Sequence, residues 1–253
     1  SLISVPLILA KLGEKDFGIL LLFTSLVPLA STLDLGISSA LIRQLSLPDK
    51  DQDYKKRYWQ TGLWVYAVTG IITAIIFSIL IFLMYFYAVA LRGISFSDLV
   101  AINLFVTLTI FVNHFCSALM ALPQADQRFD VYNLRTMISG SGNTIFTALL
   151  VLFTNDIKTI VFFQMIFYFL TIISLYRYAQ RKFHHQTLSP SLHLDELKNI
   201  LGYGLKNFVG NLANQINLQA SKYVIGGMLS AEAITYFGIP QSIVMKAAGG
   251  ISQ

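Results

Sequence analysis

Six ionisable residues stand inside long apolar runs: Asp34, His114, Arg135, Lys206, Lys222 and Lys246. An ionised group in hydrocarbon costs several kcal/mol unless it meets a partner or a wet cavity, so these are the first candidates for function. One acid stands against four bases, and an unpaired cation repels cationic cargo while attracting a phosphate. The most ordered set lies in the run from Ile200 to Leu229. At about 100° per residue from Asn207, Asn211 falls near about 40°, Asn214 near about 340°, Ser221 near about 320° and Lys222 near about 60°. Gln215 sits on the edge of this stripe, and Val209, Leu212, Ile216 and Ala220 occupy the opposite face. Amides suit sugar hydroxyls and an ammonium suits phosphate. Asn207, Asn211, Asn214, Gln215 and Lys222, with Lys246, are therefore the expected cavity-lining, substrate-binding residues; interhelical hydrogen bonding by single Asn side chains is the alternative.

Asp34 is about 25 Å along its run, which places it near an interface. It is expected to pair with a basic residue such as Arg43 or with a helix end, the sharper alternative being a proton- or ion-coupling role. His114, beside Asn113, is either a relay or an interhelical hydrogen-bonding group. The small residues from Ser139 to Asn143 are expected to permit close helix packing, with a flexible point as the alternative. His184 and His185 lack further ligands nearby and read as a solvated loop. The single Cys116 offers no disulfide framework. With no GxxxxGK[ST] loop and no clustered nucleophile and base, no enzyme activity, cofactor or metal is expected.

The elements that must hold these residues are membrane helices. Of 253 residues, 55% are hydrophobic and 12% charged, against about 25% charged in soluble domains, so the fold class is an all-α polytopic membrane protein. Continuous apolarity marks the tail of one span at Leu2–Ala10, then Phe17–Ile42, Trp59–Leu91, Leu99–Leu122, Val131–Phe153, Ile157–Tyr176, Ile200–Leu229 and Ala233 onward. That makes about eight, with the first and last expected to be truncated. One set of connections carries Arg43, Lys50, Lys55, Lys56, Arg57, Arg128, Arg135, Arg177, Arg181, Lys182 and Lys198; the other carries Lys11, Lys15, Arg92 and Lys158. Eleven bases against four make the first side cytoplasmic. Because Lys and Arg are spread over loops and form no single stripe, nucleic acid is not an expected partner. Residues 1–182 are expected to form a six-helix N-terminal lobe, 183–198 an inter-lobe loop and 199–253 the start of a second lobe. Leu229-Ser-Ala-Glu-Ala-Ile-Thr-Tyr236 weakly repeats Leu12-Gly-Glu-Lys-Asp-Phe-Gly-Ile19, with Thr235 in place of Gly18.

The Leu12-Gly13-Glu14 turn with Phe17-Gly18, leading to Leu33-Asp34-Leu35-Gly36 and Arg43, resembles the bacterial polysaccharide flippases of O-antigen transporter type. Their superfamily also holds the multidrug and toxin extrusion exporters. The resemblance implies two lobes around a polar cavity, and a bacterial inner-membrane location. It also implies translocation of an undecaprenyl-diphosphate-linked oligosaccharide by alternating access, among membrane lipids and other polysaccharide-assembly proteins. It differs at Ser221, where the resemblance would place an acid. A small-molecule antiporter of the same fold and a non-transporting subunit of an assembly complex are the alternatives.

Overall fold

The computed structural model describes residues 4–182 and 189–251, without the side chains at 182, 205–207, 209–211, 215 and 245–251. The chain runs α1 (Ser4–Ser31), a 3-10 turn (Thr32–Asp34), α2 (Ile37–Leu45), α3 (Gln52–Tyr87), a second 3-10 turn (Val89–Leu91) and α4 (Phe96–Ala125). It continues through α5 (Phe129–Met137), a π-helical segment (Ile138–Gly142), α6 (Asn143–Leu150), α7 (Ile157–Lys182), α8 (Leu194–Met228) and α9 (Ala231–Ile251). Caps set several starts: Asp51 accepts from the Tyr54 amide at 2.8 Å to open α3, and Ser95 accepts from the Asp98 amide at 3.1 Å to open α4. Four segments are by themselves long and apolar enough to cross a bilayer: Ser4–Asp34, Gln52–Tyr87, Phe96–Ala125 and Ile157–Arg181. On α3 the residues Ile71, Ile72, Ile75, Ile76, Ile79 and Leu83 are all about half exposed. Such a face would be a liability in water and is ordinary against lipid.

One expected span is interrupted and another is modified. The run Phe17–Ile42 is not one helix: it breaks at Thr32–Gly36, with Leu35 and Gly36 at φ 54° and 71°. The run from Val131, by contrast, stays helical throughout and only widens to a π turn at Ile138–Gly142. Within α1, Gly13 at φ 78° and ψ 169° separates the first short helix from the longer one, a backbone conformation that glycine adopts without a Cβ clash.

The weak sequence repeat has a spatial counterpart. A Cβ on Gly18 would overlap the Ala231 carbonyl, and the Thr235 hydroxyl donates to the Glu14 carbonyl at 2.7 Å. In the repeat Glu14 corresponds to Ala231 and Gly18 to Thr235, so the two contacts are exchanged copies of each other, as at a two-fold interface. At the opposite, basic end, α2 and α8 approach through Gly36 and Gly204, each of which would lose the contact if it carried a side chain. Two buried clusters lie between these seams. One, around Phe17, Leu22, Phe23 and Ile102, sits toward the Gly18 end. The other, around Leu41, Trp59, Tyr66 and Leu122, sits toward the basic end.

Candidate functional site

A cavity of about 780 Å³ opens between α1, α4, the α5–α6 wall, α7 and α9. Apolar Val5, Ile8, Phe17, Leu20, Leu21, Val27, Pro28, Met120 and Ile239 line much of it, and polar groups stand among them. The α5–α6 wall contributes Tyr132, Arg135, Thr136, Ser139, Gly140, Asn143, Thr144 and Thr147. These recur at intervals of three and four, one face of a helix. Residues four apart on an α-helix drift by about 40°, and the wider π turn offsets that drift, keeping Arg135, Ser139, Asn143 and Thr147 on one side. No residue of α5 or of the π segment is buried. A Cβ on Gly140 would meet nothing within 4 Å. Of the small residues expected to pack against a helix, Ser139, Gly140 and Asn143 face the opening, and Gly142 lies against Phe167 of α7.

Facing this wall, Asp34 is held in place by its own turn. One carboxylate oxygen accepts from the Gly36 amide at 2.8 Å; the other accepts from the Ser38 hydroxyl at 2.6 Å and from the Tyr66 hydroxyl at 3.3 Å. The carboxylate thus stands at the N-terminus of α2, where unpaired amides favour negative charge. Of the two expectations for Asp34, a helix end is the partner it finds. Arg43 lies over the Tyr203 ring at 4.9 Å, and no ion pair joins it to Asp34 among the described residues. His114 is 1% exposed, with its ring edge-on to Tyr66 at 6.1 Å between centroids. Neither of its ring nitrogens has a hydrogen-bond partner of good distance and angle, the Leu33 backbone being the polar group beside the ring.

Polar bonds tie the cavity wall to its neighbours. Gln164 on α7 donates to the Thr147 hydroxyl at 2.7 Å, which donates in turn to the Asn143 carbonyl at 2.9 Å. The Asn143 amide oxygen and Nη2 of Arg135 are buried without partners. At the head of α5, outside the apolar run, Arg128 grips Asp130 through Nε at 2.9 Å and Nη2 at 2.8 Å, holding that carboxyl down at about 2.

The α8 residues are placed differently. Asn214 is exposed, and Lys222 donates to Gln219 on its own helix at 3.1 Å; neither lines the cavity. Tyr223 turns to α1, accepting from the Ser25 hydroxyl at 3.2 Å. The side chains of Asn207, Asn211, Gln215 and Lys246 lie outside the described residues, as do those of Lys206, His184 and His185. The α5–α6 stripe is present in the sequence as a row of Arg, Ser, Asn and Thr four apart, with a Ser-Gly-Ser-Gly cluster, itself a packing signal, in its middle. No group of three or more His, Cys, Asp or Glu among the described residues is placed to hold a metal.

A family model described as polysaccharide biosynthesis protein matches residues 8–253. The chain belongs to the polysaccharide biosynthesis protein family. A Shigella flexneri protein named "Putative O-antigen transporter" is 21% identical over 97% of this chain and 59% of its own length. The chain therefore spans a little over half the length of that relative. No solved structure matches. Family membership accords with apolar helices that carry the chain through a membrane several times, and with a hollow between them that bears polar side chains on one wall.

Proposed function

We propose that this chain is the N-terminal lobe and the start of the second lobe of an inner-membrane flippase that moves an undecaprenyl-diphosphate-linked oligosaccharide between leaflets. The observation that carries this reading is the cavity of about 780 Å³ whose α5–α6 wall bears a row of hydroxyls with the Asn143 amide and the Arg135 guanidinium. Hydroxyl-rich cargo loses its water in hydrocarbon, at a cost of roughly 2–7 kcal/mol for each unpaired polar group. A polar wall returns those hydrogen bonds while the isoprenoid tail stays in lipid. The seam at Gly18 and Ala231 and the seam at Gly36 and Gly204 would be the lines along which two lobes rock, the boundary falling at 183–198. In this reading Asn207, Asn211, Asn214, Gln215, Lys222 and Lys246 belong to the second lobe's contribution to the route, and Asp34 with Arg43 to the hinge between α1 and α2. Other polysaccharide-assembly proteins would deliver and receive the cargo.

The test uses the full-length protein in vesicles loaded on one face with an undecaprenyl-diphosphate-linked oligosaccharide, scoring sugar that becomes accessible on the other. Transport by the wild type, with at least about tenfold loss on narrowing the wall by Ser139→Phe, is the expected result. Absence of lipid-linked sugar transport, together with accumulation of organic cations, would replace this reading by a small-molecule antiporter.

A further inference from the structure

At the end of the molecule away from the basic loops, external by the Lys and Arg count, α9 closes on α1. Gly18 lies against the Ala231 carbonyl, and a Cβ on Gly238 would press on the Leu21 side chain. Thr235, 1% exposed, donates to the Glu14 carbonyl at 2.7 Å, and the Tyr236 hydroxyl donates to the Glu14 carboxylate at 2.6 Å. Past Leu21 and Gly238 both helices border the cavity, Thr24 and Pro28 from α1 and Ser242 from α9. Toward the basic end its lining reaches Gln124 and Tyr132, on either side of the α4–α5 turn. The hollow is thus shut where α1 meets α9, and a carrier that alternates must part that contact.

The two hydrogen bonds at this closure differ in surroundings. Thr235 is buried, whereas Tyr236 is 63% exposed and Glu14 is exposed. A bond from a hydroxyl to a carboxylate is of the strong kind, yet water replaces it as the helices separate, so its net hold on the closed form is modest. A contact of that strength can be made and released repeatedly. The Tyr236 bond also has no counterpart in the repeat. Ile19 stands at the position equivalent to Tyr236 and Ala231 at that equivalent to Glu14, so the symmetry-related site has neither phenol nor carboxylate. Close packing of α1 on α9 needs only the small residues, and the polar pair is an addition to it. A second polar pair near this end, Lys158 donating to Asp98 at 2.8 Å, joins α7 to α4 within the first lobe and does not cross the closure.

We infer that Tyr236 and Glu14 form an external latch, which holds the cavity shut on this side at rest and is released each time the lobes rock. The latch rests on the flippase reading for what passes through it; the closure itself rests on the contacts of α1 with α9.

The full-length protein in right-side-out vesicles, with Cys116→Ala and with Ser242→Cys as its single cysteine, is labelled from outside with a membrane-impermeant thiol reagent. Slow labelling is expected with Tyr236 and Glu14 in place, and about three- to tenfold faster labelling with Tyr236→Phe or Glu14→Ala, because the rate follows the fraction of open molecules. The double variant should label no faster than either single one, since both remove the same bond. Lys158→Met is expected to label like the parent. Unchanged labelling in both latch variants overturns the latch, as does equal acceleration by Lys158→Met, which would mean general loosening of this end. Should neither latch variant fold, a short bis-maleimide joining Glu14→Cys to Tyr236→Cys is expected to abolish transport, and transport that survives the cross-link overturns the latch. Vesicle transport separates the two ideas: no movement of lipid-linked oligosaccharide by the wild type, with labelling still accelerated in the latch variants, sinks the flippase and spares the latch, whereas transport with unaltered labelling does the reverse.

Discussion

Two helical stripes of this protein have nearly the same chemistry and different surroundings. The α8 stripe carries Asn214, Ser221 and Lys222, and the α5–α6 stripe carries Arg135, Ser139, Asn143 and Thr147. On α8, Lys222 bonds Gln219 and the helix is fixed to α2 at Gly204. On α5–α6 the guanidinium and the Asn143 amide oxygen keep unmade bonds, and the wall borders an opening. A polar face records that a helix avoids hydrocarbon on that side. Its neighbours decide whether the face meets protein or a hollow.

The largest effect should come from the seam that fixes α8. Gly204→Leu forces a side chain into the Leu35 and Gly36 backbone and is expected to cost about 3 kcal/mol, seen as lost abundance and a lowered melting temperature. Gly140→Leu has open space to enter, so it should leave melting nearly unchanged while reducing transport. Equal destabilisation by the two would erase the distinction between the stripes.

Next comes Asp34, which joins the broken span to the cavity. Asp34→Ala removes acceptors from Gly36, Ser38 and Tyr66 and should cost about 2 kcal/mol, with Asp34→Asn costing less because an amide oxygen still accepts from the Gly36 amide. Thermal unfolding in detergent measures both. For contrast, Asn214→Ala on the exposed α8 position should stay within about 0.5 kcal/mol.

A direct exchange of roles sharpens the comparison further. Replacing Ser139 and Thr144 together by Leu is expected to lower vesicle transport about tenfold, roughly 1.4 kcal/mol, with little change in melting. Replacing Asn214 and Lys222 by Leu should do less. The opposite ranking would move the route to α8. His114→Phe removes a buried imidazole with no hydrogen bond and should leave stability unchanged or raise it by up to about 1 kcal/mol.

The smallest effect belongs to the head of α5. Arg128 lowers the Asp130 carboxyl to about 2, so that pair's contribution is present above the ordinary value of about 3.9 and is lost only as pH falls through about 2. Both side chains are exposed, and Asp130→Asn should leave the melting temperature between pH 5 and pH 8 where it was, the interval in which neither state of Asp130 changes charge.

Composition and apolar run length were enough to read helices crossing a membrane, because hydrocarbon leaves the backbone few other ways to satisfy its hydrogen bonds. The repeat around Leu12 and Leu229 was legible too, though its meaning was not: only packing sets Gly18 against Ala231 and Thr235 against Glu14. The break at Thr32–Gly36 was hidden because Leu, Ile and Ser continue on both sides of it. A run of apolar residues does not report a left-handed Leu35, nor a carboxylate that ties the turn together through the Gly36 amide.

What the residues alone determined is that this chain lives in a bilayer as helices and that some faces of those helices are polar. Transfer from water to hydrocarbon is a property of each side chain, so it can be read one residue at a time. Which polar face borders the cavity was decided by tertiary structure, because a hollow is made by helices far apart in sequence. The row from Arg135 to Thr147 becomes a cavity wall only when α1, α4, α7 and α9 stand around it.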